Sequence, residues 1–388
     1  MIPVYYDETN DVWKKADVSN IDKNNPWYSY NSTGEYKGMW ANAVTTTSTN
    51  RSKYLSAAPG TEIPMNDITT MWVWIPRFKA VTPSNYNGGT KESPGAINVS
   101  FVKQNETAID AFTFGTKSLS GFWYGKFEIG GTLASACTNE TCNVSNIVVK
   151  PNVTSLRSLK VSSFFFASRS MEQAGNSFGF VSSEVDTHMS KNNEWGAVAY
   201  LTQSIYGRCT SSTTCTEVGI NNKSSYITGY GAPAGSNSSV ANGTYNTSLG
   251  KDASTTGTIY GIYDMSGGGA EYVMGVLADP NGKPRSGDNS SWSSGFTGML
   301  SDGTTYTGIT FPDSKYYNLY TGSSYTGHAL TETKNWYSDD ADFVYAGNPW
   351  FIRGGFYNKS TVAGVFSFYY SNGNSLSSGS SRFVISNE

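Results

Sequence analysis

The chain has 388 residues, enough for one large domain with insertions or for two smaller ones, and only 15% of them are charged, with a net charge of -3. That balance excludes the basic footprint of a nucleic-acid or anionic-membrane binder. Aromatics reach 14%, with 26 Tyr and 10 Trp, and Gly, Ser, Thr and Asn dominate the rest, which points to many strands and long ordered loops.

Residues 1–64 alternate polar and aromatic positions around the turn clusters Asp7-Glu8-Thr9-Asn10 and Asn31-Ser32-Thr33-Gly34. They read as short antiparallel strands, a β-rich segment packed on a main domain at 65–388, with Trp13, Trp27, Tyr28 and Trp40 as buried anchors. A sugar-stacking platform is the other use such rings could have. Met1 is followed at once by IPVYYDETN, with neither the charged nor the apolar region of a signal peptide and no span for a membrane. A surface protein would then take its leader or anchor from sequence upstream.

The run MWVWIPRFKA at 71–80 is a strongly apolar strand interrupted at Pro76, and LSGFWYGKFEIGG at 119–131 is a second. Residues 81–118 between them form a loop-rich insertion bearing Pro83, Asn85, Gly88, Gly89 and Pro94. Cys137/Cys142 and Cys209/Cys215 lack the C-x-x-C spacing of a zinc or thioredoxin-type site. Each pair would close a small loop as a disulfide, which suits an extracellular protein; the alternative is four reduced thiols in polar loops.

Two helices are expected. The first begins near Ser162 or Ser163 and runs to a stop at Gly175; the second follows a cap near 190–193, puts Trp195, Val198, Leu201 and Ile205 on one broad face, and stops at Gly207. Glu194 would be a first-turn acid favoured by the helix dipole and Trp195 a core residue. Residues 208–257, poor in apolar side chains, read as a long surface insertion. TGTIYGIYDMSGGGAEYVMG follows at 256–275, and then a second insertion-rich passage at 276–349, in which Asp339, Asp340 and Asp342 read as a solvated acidic loop.

The tail at 350–385 interleaves two populations. Arg353, Gly354, Gly355, Ala363, Gly364, Val365, Phe366, Phe368, Arg382 and Val384 have the small and apolar character of close-packed strands. Between them lie Phe356, Tyr357, Asn358, Ser360, Val362, Ser367, Tyr369, Tyr370, Ser371, Asn374, Leu376, Ser377, Ser378 and Ser380. Tyr, Ser, Gly and Asn in such density make a binding surface, because Tyr brings contact area at low entropic cost and Ser and Asn bring adaptable hydrogen bonds. In an extended strand Val365, Ser367 and Tyr369 would point outward if Phe366 and Phe368 point to the core.

RGG, AGVFSF and the final SSRF resemble the variable region of diversity-generating retroelement variable proteins with a C-type lectin fold. In that family adenines of template Asn codons are randomised, and from Phe356 to Ser380 only Lys359 breaks the resulting codon rule. MWVWIP, Lys126-Phe127-Glu128-Ile129 and YDMSGG with Glu271 resemble the formylglycine-generating-enzyme subtype of that fold. The resemblance implies an α+β chain with two helices, short antiparallel strands and long ordered loops, whose function is to bind. Its ligand-binding residues would be the fourteen interleaved positions just named. The partner would be a protein or glycan on a cell or phage surface, with the protein itself extracellular or cell-surface. Where family members hold calcium through an Asn and an acid, Gly268 replaces the Asn; calcium wants six to eight oxygens, so neither a metal nor any other cofactor is expected.

The alternatives are an oxidoreductase of the formylglycine-generating type and an adhesin of fixed specificity. The former uses a C-terminal cysteine pair, and no Cys follows Cys215. His188 and His328 are too few for a His-rich iron site. The G-x-S-x-G at 175–179 follows a helix rather than a strand, so it reads as a loop, and no Gly-Lys pair continues into a P-loop. No catalytic residue is therefore assigned.

Overall fold

In the computed structural model, which describes residues 1–19, 26–232 and 243–387, the elements that matter are these in chain order. Strands β1 (Ile2–Asp7), β2 (Val12–Lys15), β3 (Asn42–Thr46), β4 (Ile68–Pro76) and β5 (Gly121–Gly125) precede helix α1 (Val161–Arg169), β6 (Val185–Met189) and helix α2 (Asn192–Thr202). Then come β7 (Ala270–Leu277), β8 (Asn318–Tyr320), β9 (Trp350–Arg353), β10 (Phe368–Ser371), β11 (Gly379–Ser381) and β12 (Phe383–Asn387). The chain is thus mixed α and β, with few helices and many short strands.

Seven strands form one antiparallel sheet in the order β6-β12-β5-β4-β3-β1-β2. The expected apolar strand lies at its centre. Met71, Trp72, Val73 and Ile75 are all fully buried, so both faces of β4 are covered. Trp72 belongs to one core cluster with Val4, Trp13 and Phe164, while Val73 and Ile75 belong to a second with Phe122, Trp195 and Val198. Pro76, which has no N–H for the ladder, is the last residue of the strand. Of the strands from the first 64 residues, β3 hydrogen-bonds directly to β4, β1 to β3 and β2 to β1, and β1 alternates buried Ile2, Val4 and Tyr6 with half-buried neighbours. Trp13 and Trp40 are buried anchors, but Trp27 and Tyr28 are not. Those two precede β3 in a bend outside the ladder, where the Trp27 indole N–H donates to the Asn42 carbonyl at 3.1 Å.

Both expected helices form, with earlier ends. α1 starts at Val161 and passes into a 3-10 turn, Ser170–Glu172, before Gly175 is reached. α2 stops at Thr202 rather than Gly207, and all eleven of its residues are buried, not one broad face. Gly196 explains the tight fit: a Cβ there would lie 2.5 Å from the Cα of His328. Two further short helices, Arg51–Ser56 and Ser248–Asp252, were not expected. The passage 208–257 is not wholly a surface insertion either. Residues 233–242 lie outside the described residues, but Val218, Ile220, Asn221 and Thr228 are buried, and the last two hydrogen-bond the carboxylate of Asp264. Both cysteine pairs are disulfides, with Cα atoms 5.5 Å apart for Cys137–Cys142 and 3.9 Å for Cys209–Cys215.

The second sheet runs β8-β7-β9-β10, with β11 also on β7. Only Arg382 separates β11 from β12, so a single extended stretch leaves one sheet and enters the other. The Arg382 guanidinium, fully buried, donates to Glu271 at 2.5 and 3.0 Å, to the Gly125 carbonyl at 2.9 Å and to the Tyr263 carbonyl at 2.8 Å. Removing one partner of a buried pair leaves an uncompensated charge at a cost of about 3–5 kcal/mol, whereas replacing both by apolar groups is often neutral. Arg382→Met should accordingly destabilise more than the Arg382→Met/Glu271→Leu double variant, read by urea denaturation; the reverse order would show that the pair does not join the sheets.

Burial pushes the carboxyls of Glu128 and Asp339 well above their ordinary range and that of Glu217 up to about 7. Burial opposes protonation of His188, yet Glu194 and Asp186 together hold its pKa above the usual value. In each case the folded state keeps its proton at a pH where the unfolded chain has lost it, so stability is lost as pH rises through the folded-state value. We expect the melting temperature to fall between about pH 5 and pH 7, and Glu217→Gln to flatten part of that slope. A melting temperature that climbs across this window would contradict the assignment.

Candidate ligand-binding surface

β9 and β10 pair antiparallel with Arg353 opposite Phe368 and Ile352 opposite Tyr369, and residues 354–367 form the loop between them. The loop leaves β9 through Gly354 and Gly355, both left-handed at φ 81° and 69°, and a Cβ on Gly355 would lie 2.8 Å from the Ala363 Cα. On the return limb a Cβ at Gly364 would lie 2.2 Å from the Asp339 carboxylate. These positions are glycine because the two limbs and the acidic segment approach too closely for anything else.

Buried groups outside the loop hold its backbone. Arg353, at the end of β9, donates to the carbonyls of Ser367 at 3.0 Å, His328 at 3.1 Å and Ala329 at 2.9 Å, and to Asn192 Oδ1 at 2.7 Å. Burial lowers its pKa to about 10. The Trp195 indole N–H donates to the Val365 carbonyl at 2.9 Å, so this core residue of α2 also fixes the loop. Asp339 was expected in a solvated loop, yet it is 1% exposed and Oδ2 accepts from the Phe366 N–H at 3.0 Å. Its neighbour Asp340 bonds the backbone on both sides, its N–H to the Val362 carbonyl at 2.9 Å and its carbonyl to the Phe368 N–H at 2.9 Å.

The side chains presented above this frame are aromatic and polar. Tyr369 and Tyr370 stack with centroids 4.2 Å apart and hydroxyls 3.0 Å apart, and that hydrogen bond, with desolvation, pushes the Tyr369 hydroxyl up to about 12. Tyr345 meets Tyr370 edge-on at 4.9 Å. Lys359 Nζ lies 3.4 Å from Asp340 and over the rings of Phe356 at 5.3 Å and Tyr369 at 5.6 Å. Tyr357 packs edge-on against Tyr226 at 4.9 Å, and the Arg157 guanidinium covers Tyr226 at 3.9 Å.

A depression of about 250 Å³ lies among these groups. Of the fourteen interleaved positions, Phe356, Ser367, Tyr369, Tyr370, Ser371, Leu376 and Ser378 line it. Tyr357, Asn358, Ser360, Val362, Asn374 and Ser377 are exposed or half-buried beyond it. Ser380 is not on the surface: it is fully buried, and its hydroxyl donates to the Leu156 carbonyl at 3.0 Å. Ser367 and Ser371 are 2% and 5% exposed, reaching the depression only as its floor. The alternation expected for 365–370 fails because the strand begins only at Phe368. Val365 and Ser367 sit in a tight return, with the Ser367 N–H donating to the Gly364 carbonyl at 3.0 Å, and both are buried.

Sequence reasoning passed over Lys359, Asp340, Asn348, Ile352 and Asn372, which also line the depression. The alternating burial of Ile352 between buried Phe351 and Arg353 is the one signal that a strand-period reading could have used. Among the described residues no His, Cys or Glu lines it, and its rings, hydroxyls, amides, the Asp340 carboxylate and the Lys359 ammonium suit non-covalent contact with a partner. Glu271, the acid of the metal question, is occupied by Arg382.

No family model and no curated protein matches the chain. Among solved structures, Treponema denticola variable protein 1 is similar at 13% identity over 81% of this chain and 95% of its own, with a TM-score of 0.31. The Major Tropism Determinant M1 variant is similar at 16% identity over 89% of this chain and 71% of its own, with a TM-score of 0.29. For the U1 variant of the same protein the figures are 16%, 86% and 67%, with a TM-score of 0.28. TM-scores this low assign neither fold nor function.

Proposed function

We propose that the chain is a ligand-binding display protein with a C-type lectin fold of the formylglycine-generating-enzyme subtype. Its C-terminal surface, diversified by a retroelement, recognises a protein or glycan on a cell or phage surface. The observation that carries this reading is a division between frame and face. The backbone of 354–367 is held by Arg353, Trp195, Asp339 and Asp340, none of them among the interleaved positions, while seven of those positions line one depression. A frame that does not depend on the displayed side chains lets them change. Two disulfides and the absence, among the described residues, of any helix long and apolar enough to cross a membrane fit display outside the cell. The oxidoreductase alternative needs a thiolate pair, and all four cysteines are spent in disulfides.

Randomising Tyr357, Asn358, Tyr369, Leu376 and Ser377 together should leave most clones folded, since exposed substitutions usually change stability by no more than about 0.5 kcal/mol each. Protease resistance of the displayed library reads the folded fraction, and selection on diverse targets should enrich distinct binders. A library that is mostly unfolded would overturn the division between frame and face. For the diversifying mechanism, the surrounding locus should carry a near-identical repeat with Asn codons at the varied positions; its absence would remove the retroelement from the proposal and leave fixed-specificity adhesion.

Trp195→Phe keeps the ring in the core but leaves the buried Val365 carbonyl without its donor, a cost of about 1–3 kcal/mol. It should weaken a selected binder's affinity without touching the ligand. An unchanged affinity would show that the loop is fixed by other means.

A further inference from the structure

The rings that escaped burial near the N-terminus converge on one place. Trp74 of β4 and Trp123 of β5 stand directly opposite each other with ring centroids 5.2 Å apart, and both are only half-buried. From the segment before β3, Tyr30 approaches them and meets Tyr28 and Phe101 edge-on, each at 5.7 Å. Trp27 packs on Tyr28 at 5.3 Å. These rings, with Pro76 and Asn387, line a cavity of about 560 Å³ that no charged side chain among the described residues lines, far larger than the depression in the tail and on the other sheet.

The cavity walls are fixed before any ligand arrives. The Tyr30 hydroxyl donates to the Trp74 carbonyl at 2.6 Å and accepts from the Ala41 N–H at 3.1 Å, and the Trp27 indole is tied to Asn42. The indole N–H groups of Trp74 and Trp123 and the Tyr28 hydroxyl, by contrast, have no hydrogen-bond partner among the described residues. An indole N–H can only donate. The ligand that complements this lining has flat apolar rings and hydrogen-bond acceptors, and few donors of its own.

That pattern discriminates between two ligands that stack on aromatic rings. A sugar brings several hydroxyl donors, and among the described residues the lining has no carboxylate to receive them, only the side-chain oxygens of Ser29 and Asn387 and the Tyr hydroxyls; each donor buried without an acceptor costs about 1–3 kcal/mol. A proline-rich segment in the polyproline II conformation has no N–H at its prolines, turns its carbonyls outward and is already extended, so little ordering entropy is lost on docking. We propose that the Trp74/Trp123 pocket binds a proline-rich peptide segment, with the pyrrolidine rings between the aromatic walls and the peptide carbonyls accepting from the two indoles and from Tyr28.

The test is a titration of the intact protein with a synthetic oligoproline peptide followed by tryptophan fluorescence, with a Gly-Ser peptide of equal length and soluble β-linked glucose and N-acetylglucosamine oligomers as comparisons. Saturable binding of oligoproline alone is expected. Trp123→Thr should weaken it by about tenfold, the contribution of a stacking ring. Tyr28→Phe, which keeps the ring and removes only the hydroxyl, should weaken it by about threefold. Melting temperatures check the fold, and if Trp123→Thr melts early the Tyr28→Phe result decides. Oligoproline binding that is absent, or that Tyr28→Phe leaves unchanged, overturns the proposal, and saturable binding of an oligosaccharide in its place makes the pocket a sugar platform.

Discussion

Arg382 occupies the one residue between β11 and β12, and its guanidinium reaches Glu271 on β7, the carbonyl of Gly125 closing β5, and the carbonyl of Tyr263 in the YDMSGG approach. Two sheets therefore meet on a single side chain. A planar fork with five donors can serve a carboxylate and two carbonyls at once, which an ammonium cannot. The surroundings are unbalanced in charge. Glu128 and Asp264 stand near the same guanidinium, and the buried Lys126 spends its donors on the carbonyls of Ile259 at 2.6 Å and Gly261 at 2.8 Å instead of on a carboxylate. Burial and its acidic neighbours therefore hold the Glu128 carboxyl protonated well above the ordinary range.

The tail is built by a related device, buried polar side chains that spend most of their hydrogen bonds on backbone. Arg353 bonds the carbonyls of Ser367, His328 and Ala329, and Trp195 and Asp339 bond Val365 and Phe366. Backbone contacts do not depend on the identity of the side chain at the position bonded. On the proposed reading, a surface hung from such contacts would keep its shape when its residues change, and the aromatic stack of Tyr369 on Tyr370 would be one of many faces that the frame could carry.

Much of the frame was legible in the sequence where a period or a run made it so. The apolar run at 71–80 gave the central strand, and the FFF and EW segments gave the two main helices, because burial of both faces of a strand and apolar helical spacing leave visible patterns. What was illegible depended on partners distant in sequence. Gly175 and Gly207 looked like helix stops, but α1 and α2 end earlier, and α2 is buried all round because Gly196 lets the His328 backbone press against it. The serines of the tail looked alike, yet Ser380 is spent on Leu156 while Ser378 faces the depression. Asp339, Asp340 and Asp342 read as one acidic cluster, and only the fold separates the buried Asp339 from its half-exposed and exposed neighbours.

β12 lies inside the large sheet rather than at its edge, with Val384 opposite Tyr124 and His188 opposite Val384 on its other side. The join between β5, from the first third of the chain, and β6, from its middle, thus waits for the final residues, a connection of long sequence separation that closes slowly. The tail is consequently its own proofreader. A frameshift or premature stop anywhere in 354–380 deletes Arg382 and the strand that joins β5 to β6, so a chain damaged there leaves β6 cut off from the other five strands of the sheet, while a chain altered only in its displayed side chains keeps that join.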